Sequence, residues 1–220
     1  MFVASHLVLS YPPMRAPVVA RLGEQGFRAL YSVLAVALIV WVVKAYNDAP
    51  MQVVWTPPIG LRHLSLLIMP FACILLVAGV TTANPAAIGT GRPEIAARPP
   101  AGILKVTRHP VMWGIALWGV AHLLANGDVA SILLFGGMTV LALAGSYAQD
   151  IKKRLQLGAA WAAFAAQTSF LPFAAVAQWR ARLTVSDIGW WRIGLGLALY
   201  ALLLVAHNWL FGVSPLPLAM

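Results

Sequence analysis

The sequence predicts an all-α integral membrane protein, a polytopic transmembrane helical bundle with about five to six spans and a cytoplasmic amphipathic helix. Of its 220 residues, 61% are hydrophobic and 10% are charged, whereas soluble domains carry about 25% charged residues. The apolar residues fall in stretches close to the roughly 20 residues that cross a bilayer as a helix. We therefore expect the whole chain, residues 1–220, to form a single integral membrane domain in a lipid bilayer.

Five apolar stretches are long enough to be spans, and they lie at 29–46, 61–82, 110–126, 129–149 and 191–211. The residues Asn126, Gly127 and Asp128 are a strong turn signal, so the third and fourth spans should form a tight helical hairpin. The opening residues 1–11 are apolar but too short to cross the membrane, and two prolines follow them. We expect this segment to be the end of a partial sixth span.

The net charge of +9 does not indicate a nucleic-acid partner, because the basic residues lie mostly in the connections between apolar stretches. Three basic connections, 12–28, 83–109 and 150–190, alternate with less basic ones, and basic loops stay on the cytoplasmic side. The C-terminal Met220 should then lie outside. Within the interfacial segment 150–190, residues 152–168 are basic at first and then apolar, which is typical of an amphipathic helix on a membrane surface.

A histidine inside an apolar span is a functional hypothesis, because an unpaired polar group in hydrocarbon costs several kcal/mol. His122 is such a residue, well inside the third predicted span. His109 cannot share a site with it, since the two lie roughly 20 Å apart along a helix and about 140° apart around it. With Pro110 at the first helical position, His109 is expected to orient the start of the helix at the cytoplasmic surface beside Arg108.

The partner of His122 must come from another segment, and depth in the membrane narrows the choice. His122 lies about 21 Å from the basic end of its span, and His207 lies about 22 Å in from Arg192. His6 is about 13 Å deep if the chain from it to Arg15 is helical, and deeper if part of that chain is extended. Either His207 or His6 can therefore face His122, and the spacing does not choose between them.

Two imidazoles inside a bundle of apolar helices are typical of the axial ligation of haem iron. A structural zinc site needs four ligands and a di-iron site needs several carboxylates. No span carries a Glu, and Cys73, the one cysteine, is expected to be a buried small hydrophobe. Haem is thus the cofactor that best matches these residues.

Three segments together resemble the NnrU family, which is related to the plant zeta-carotene isomerases. They read SHLVLSYPPMRAPVVARLGEQGFRALYS, RHPVMWGIALWGVAHLLANGD and LGAAWAAFAAQTSFLPF. The resemblance runs from His6 to about Phe173, and the middle segment is its most specific part. It implies a protein of the bacterial inner (cytoplasmic) membrane that acts in nitric oxide or denitrification metabolism.

The related isomerases hold haem b between two membrane histidines and isomerise a cis double bond of a polyene. Carried over to this sequence, the resemblance implies that His6 and His122 bind haem b, a choice that depth alone did not make. A small gas or a polyene would be the ligand, and a haem-dependent cis-trans isomerase is the alternative function. The supporting residues are expected to be Arg15, Arg108, His109, Asn126 and Asp128.

A more distant likeness is to the isoprenylcysteine and phospholipid methyltransferases, which also carry an Arg-His-Pro element that opens a membrane helix. It implies that Arg108 and His109 hold S-adenosylmethionine, assisted by Asp150, Trp161 and Phe164. No loop carries a glycine-rich nucleotide fingerprint. Methyl transfer is therefore kept as a third hypothesis, behind the two that involve haem.

Overall fold

The computed structural model describes residues 1–87, 89 and 93–216, and this part of the chain is a bundle of helices. In chain order they are α1 Phe2–Ser10, α2 Pro12–Asn47, α3 Ile59–Val80, α4 Pro93–Ala96, α5 Pro110–Ala125, α6 Val129–Ser131, α7 Gly137–Gln167, α8 Ala174–Ala177, α9 Val185–Ile188 and α10 Trp190–Phe211. A 3-10 turn, Gly102–Lys105, precedes α5, and a π-helical turn, Ile132–Gly136, joins α6 to α7. The predicted all-α class is confirmed for the described residues.

Four helices among the described residues are long and apolar enough to cross a membrane: Pro13–Asn47, Ile59–Val80, Val129–Gln167 and Trp190–Phe211. The third predicted span is α5, which has 16 residues. That length corresponds to about 24 Å, short of the roughly 30 Å hydrocarbon core. The structure thus supports an integral membrane protein, while the predicted count of five to six spans is not confirmed.

The first two helices meet at the prolines that the sequence marks as a stop. The helix α1 ends at Ser10, and Tyr11 is extended before α2 begins. The helix α2 starts at Pro12 and not at residue 29, and non-helical backbone at Gly23 (φ 71°) divides it into two helical parts. The predicted basic segment 12–28 is therefore helical, and an ion pair between Arg15 and Glu24 connects the two sides of the break.

The helix α5 lies at the centre of the bundle, packed between α3 and α7. Two glycines allow this close approach. A Cβ added to Gly114 would lie 2.9 Å from the carbonyl oxygen of Ala72 on α3. A Cβ added to Gly119 would lie 2.8 Å from the carbonyl oxygen of Phe135. Small residues at helix contacts are typical of membrane bundles, and α10 and α1 complete the structure by packing on α3 and α7.

The predicted surface helix 152–168 is instead the second half of α7. Gly158 adopts φ 51° and ψ −121°, a conformation that glycine tolerates best, and bends the helix there. As a result Trp161 and Phe164 are 2% and 1% exposed inside the protein core. This differs from the prediction of a helix on the membrane surface, because an apolar stripe on a helix packs equally well against protein or lipid.

The predicted hairpin between the third and fourth stretches is confirmed: α5 ends at Ala125 and α6 begins at Val129. The Asp128 side chain accepts a hydrogen bond from the backbone N–H of Ser131 and so caps α6. The connection between α2 and α3 covers this turn, because the N–H of Trp55 donates to the carbonyl of Gly127 at 3.1 Å.

At the end of the bundle opposite this hairpin, the charged connections contact one another. Lys105 forms an ion pair with Asp187 at 3.0 Å, and Arg108 pairs with Asp150. The N–H of Thr184 and the ammonium of Lys105 hold the pKa of Asp187 below its ordinary value. The basic segments 83–109 and 150–190 thus share one end of the bundle. Arg92 of the first segment lies outside the described residues, as does the C-terminal Met220.

This grouping leads to a prediction about topology. The basic end should face the cytoplasm, so alkaline phosphatase fused after Met220 should be active and a fluorescent protein fused there should be dark. Phosphatase fused after Arg182 should be inactive and serves as the control. The opposite pattern of activities would contradict the charge argument.

Candidate functional site

His122 lies on α5 within an aromatic enclosure. Its ring stacks on that of Phe135 with centroids 4.6 Å apart, and the ring of Trp118 lies 4.9 Å away. Phe135 belongs to the π-helical turn Ile132–Gly136, a rare geometry that often occurs at functional sites. The irregular turn therefore places an aromatic ring directly against the histidine of α5.

A hydrogen bond fixes the orientation of the His122 ring. Its Nδ1 lies 2.8 Å from the carbonyl oxygen of Trp118, and a carbonyl only accepts, so Nδ1 carries the proton. In the neutral ring Nε2 then keeps its lone pair, and among the described residues it has no hydrogen-bond partner. Metal-binding histidines are usually oriented in this way, through a hydrogen bond from the other ring nitrogen.

His207 on α10 lies beside His122. The two ring centroids are 6.5 Å apart and the ring planes differ by 24°. The Nδ1 of His207 donates to the carbonyl of Val213 at 2.8 Å, which again leaves Nε2 available. Two imidazoles on opposite sides of one metal ion have centroids about 6 Å apart, given metal–nitrogen bonds of about 2 Å. The observed centroid separation is close to that value.

His6 occupies a different aromatic contact on α1. Its ring lies 4.1 Å from that of Phe2 and 5.3 Å from that of Tyr31, and its Nδ1 donates to the Phe2 carbonyl. Of the two partners that depth allowed for His122, the structure brings His207 into ring contact. It places His6 on the helix that packs against α2 and α7.

The structure brings two candidate metal ligands together at this site, His122 and His207. Within the described residues, no group of three or more His, Cys, Asp and Glu side chains is placed to hold a metal. A pair of histidines instead suits a metal that brings its equatorial ligands with it, as haem iron does. The prediction that Cys73 is buried is confirmed, since it is 1% exposed.

A second cluster joins the start of α5 to α7. The guanidinium of Arg108 binds both carboxylate oxygens of Asp150, with its Nε 3.0 and 2.9 Å from them. The Nε2 of His109 donates to the same carboxylate at 2.6 Å. The side chains of His109 and Asp150 are only 4% and 10% exposed. His109 is the N-cap of α5, and it is buried within the protein because Asp150 on the facing helix supplies a partner.

The backbone around Arg108 is held as firmly as its side chain. The amide Nδ2 of Asn84 donates to the carbonyl of Arg108, and the N–H of Arg108 donates to the carbonyl of Ser169. Its guanidinium carbon also lies 6.0 Å from the ring of Trp161. The structure thus brings together four of the residues that the methyltransferase hypothesis requires, while their hydrogen bonds satisfy one another.

This closed network predicts that the protein does not bind S-adenosylmethionine. The Asp150 carboxylate is fully engaged by Arg108 and His109, so it cannot also bind a cofactor. Calorimetric titration with S-adenosylmethionine should show no saturable binding. Saturable binding that is lost in His109→Ala, but kept in a His63→Ala control at an exposed histidine, would favour methyl transfer over both haem hypotheses.

The other predicted supporting residues have structural contacts. Arg15 lies over the ring of Phe27 at 4.9 Å, at the break in α2. The Nδ2 of Asn126 donates to the carbonyl of His122 at 2.9 Å and so secures the end of α5. Sequence reasoning missed Phe135, because the π-helical turn changes which residues face inward.

These features define a class: an integral membrane helical bundle with histidines enclosed between its helices. The chain belongs to the NnrU family, since it matches the family described as "NnrU protein" over residues 1–215. It is also 33% identical over 82 residues to the chloroplastic 15-cis-zeta-carotene isomerase of Zea mays, covering 37% of this chain and 22% of that protein. The Arabidopsis thaliana isomerase of the same name is 32% identical over 79 residues, or 36% and 22% of the two chains. No solved structure matches the chain significantly.

The family prediction and the predicted relation to zeta-carotene isomerases are both confirmed by these matches. The matched segments span about a fifth of the length of the two plant proteins, 22% in each case.

Proposed function

We propose that this NnrU-family protein binds haem b through His122 and a second intramembrane histidine. The observation that carries the proposal is the His122 ring, whose Nδ1 is fixed by the Trp118 carbonyl while Nε2 has no partner among the described residues. Haem iron, when bound there, would supply a redox centre and, on release of one histidine, a coordination position for a ligand. The rings of Phe135 and Trp118 pack against the imidazole.

Two histidines compete for the second ligand position. The family resemblance implies His6, and the 6.5 Å ring separation supports His207. The proposal follows the resemblance and assigns His6 and His122 as the ligands. The spectra of single variants decide between the two assignments.

Optical spectroscopy of the protein purified in detergent, from cells with ample haem, tests the proposal. The wild type should carry low-spin haem b. His122→Ala and His6→Ala should each lose that spectrum or convert it to another spin state, while His207→Ala should leave it unchanged. His63→Ala, at an exposed histidine, is the matched control.

A colourless but well-folded wild type would contradict haem binding altogether. If His207→Ala destroyed the low-spin spectrum and His6→Ala did not, haem binding would stand and the assignment of His6 would be wrong.

The activity we propose is the cis-trans isomerisation of a polyene. Its support is the similarity to two plant proteins named 15-cis-zeta-carotene isomerase and the aromatic rings around His122. Binding of nitric oxide, as implied for the NnrU family, needs the same exchangeable position on the iron. A 15-cis polyene supplied in vesicles should be converted by the haem-loaded wild type and not by His122→Ala.

A further inference from the structure

Two aromatic residues at the basic end are held in a strained backbone conformation. Phe173 (φ 63°) and Trp179 (φ 58°) are the non-glycine residues of the described chain with positive φ. Such conformations cost free energy in a residue that has a Cβ, and they persist where the surrounding structure enforces them. The two residues flank α8, and their side chains are 56% and 91% exposed. The two aromatic residues are thus largely exposed at this end of the bundle.

The surrounding hydrogen bonds enforce this geometry. The N–H of Phe173 donates to the carbonyl of Val106, and the N–H groups of Arg180 and Ala181 both donate to the carbonyl of Ala175. Tryptophan is enriched where a membrane meets water, because its ring is amphipathic. A rigid loop that presents Trp179 and Phe173 at one end of a membrane bundle is therefore suited to the membrane interface.

An open cleft of about 560 Å³ lies beside this loop, with Arg108, Ser169, Leu171, Ala174 and Arg180 among its lining residues. A second cleft of about 290 Å³ shares Arg180 and adds Lys105 and Arg182. The lining is therefore cationic on one side, while the exposed Leu171 contributes an apolar wall.

Several guanidinium donors around the clefts have no partner within the described chain. Arg108 uses Nε and Nη2 on Asp150, which leaves Nη1. Arg180 uses Nη1 on carbonyls at the end of α7 and Nε on Gln178, which leaves Nη2. Arg182 is exposed and forms no hydrogen bond or ion pair with any described residue. Between residues 151 and 186 the sequence has no Asp or Glu, so Arg180 and Arg182 have no carboxylate on their own segment. Arg108 and Lys105 are instead paired with Asp150 and Asp187.

We propose that this surface is a binding site for an anionic phospholipid of the leaflet on the basic side. Arginine donors bind phosphate oxygens in pairs, so the phosphate lies in the clefts near Arg180 and Arg182. The acyl chains lie along Leu171, and the rings of Phe173 and Trp179 lie at the boundary between headgroups and chains. The arginines at this surface favour a lipid of net negative charge over a zwitterionic one, because they repel the ammonium group of the latter.

Native mass spectrometry of the full chain, purified in detergent and supplied with phosphatidylglycerol or phosphatidylcholine, tests this site. The wild type should retain phosphatidylglycerol in preference to phosphatidylcholine. Arg182→Ala should retain about fivefold less, as expected for one lost cation near an anionic lipid. Arg182 is chosen because it forms no hydrogen bond or ion pair with the described residues, whereas Arg180 secures the end of α7. Arg21→Ala, at another exposed arginine, is the control and should behave as the wild type.

The variant Trp179→Gly distinguishes a lipid-binding role of Trp179 from a purely structural one. Glycine relieves the positive φ, so thermal stability in detergent should rise while retention of phosphatidylglycerol falls. Unchanged retention in this variant would overturn the proposal, as would equal retention of both lipids by the wild type. Displacement of phosphatidylglycerol by millimolar inorganic phosphate would show a site for free anions instead. None of these outcomes depends on haem.

Discussion

Replacing Asp150 by alanine should destabilise the protein by about 3–5 kcal/mol, the cost of removing one partner from a buried ion pair. The carboxylate is the shared acceptor of Arg108 and His109, and its side chain is only 10% exposed. Its loss leaves a guanidinium and an imidazole without an acceptor in the interior. Unfolding of the detergent-solubilised variant in a denaturant titration, followed by tryptophan fluorescence, measures the effect.

The matched control is Asp48→Ala, which removes the carboxylate paired with Lys44 at the other end of the bundle. Both side chains are well exposed, at 63% and 75%, and exposed pairs contribute about 0–1 kcal/mol. Equal losses of stability in the two variants would mean that the Arg108–Asp150–His109 network does not hold α5 to α7.

Carbon monoxide or nitric oxide added to the reduced, haem-loaded protein should displace His6 and leave His122 bound. His122 lies on the central helix, with its ring between Phe135 and Trp118. His6 lies on α1, a nine-residue helix none of whose residues is fully buried, and weakly packed elements open most easily. The optical spectrum of gas-bound His6→Ala should therefore match that of the gas-bound wild type.

If the spectrum of gas-bound His122→Ala, and not that of gas-bound His6→Ala, matched that of the gas-bound wild type, His122 would be the weaker ligand. If the reduced haem bound neither gas, the site would be a closed electron-transfer centre. Neither isomerisation nor gas sensing would then be possible, since both need a position that opens on the iron.

Features that depend on neighbours in the sequence were predictable. The turn at Asn126–Asp128 and the break before Pro12 follow from local backbone preferences, and both occur where expected. The His122 ring is likewise fixed by Trp118, one helical turn earlier. Local chemistry was therefore sufficient for the hairpin and for the ring that we propose as a ligand.

Features that depend on distant contacts were not predictable in the same way. Asp150 lies 42 residues after Arg108, and nothing local indicates that one carboxylate serves both Arg108 and His109 in the interior. Spacing also could not show that His207, and not His6, has its ring beside that of His122. Burial of Trp161 depends on a bend at Gly158 that an amphipathic pattern does not reveal.

Because of the π-helical turn Ile132–Gly136, the effect of deleting one residue depends on where the deletion falls relative to that turn. A π-helical turn winds about one more residue into a turn than an α-helix does. Deleting one residue there would convert it to an α-helical turn and leave Asp150 facing Arg108, while Phe135 would lose its place against His122. Deleting one residue between Gly137 and Asp150 would instead rotate Asp150 by about 100° and unpair the buried charges. The helix thus accepts a one-residue deletion at a single turn, the turn that encloses the histidine.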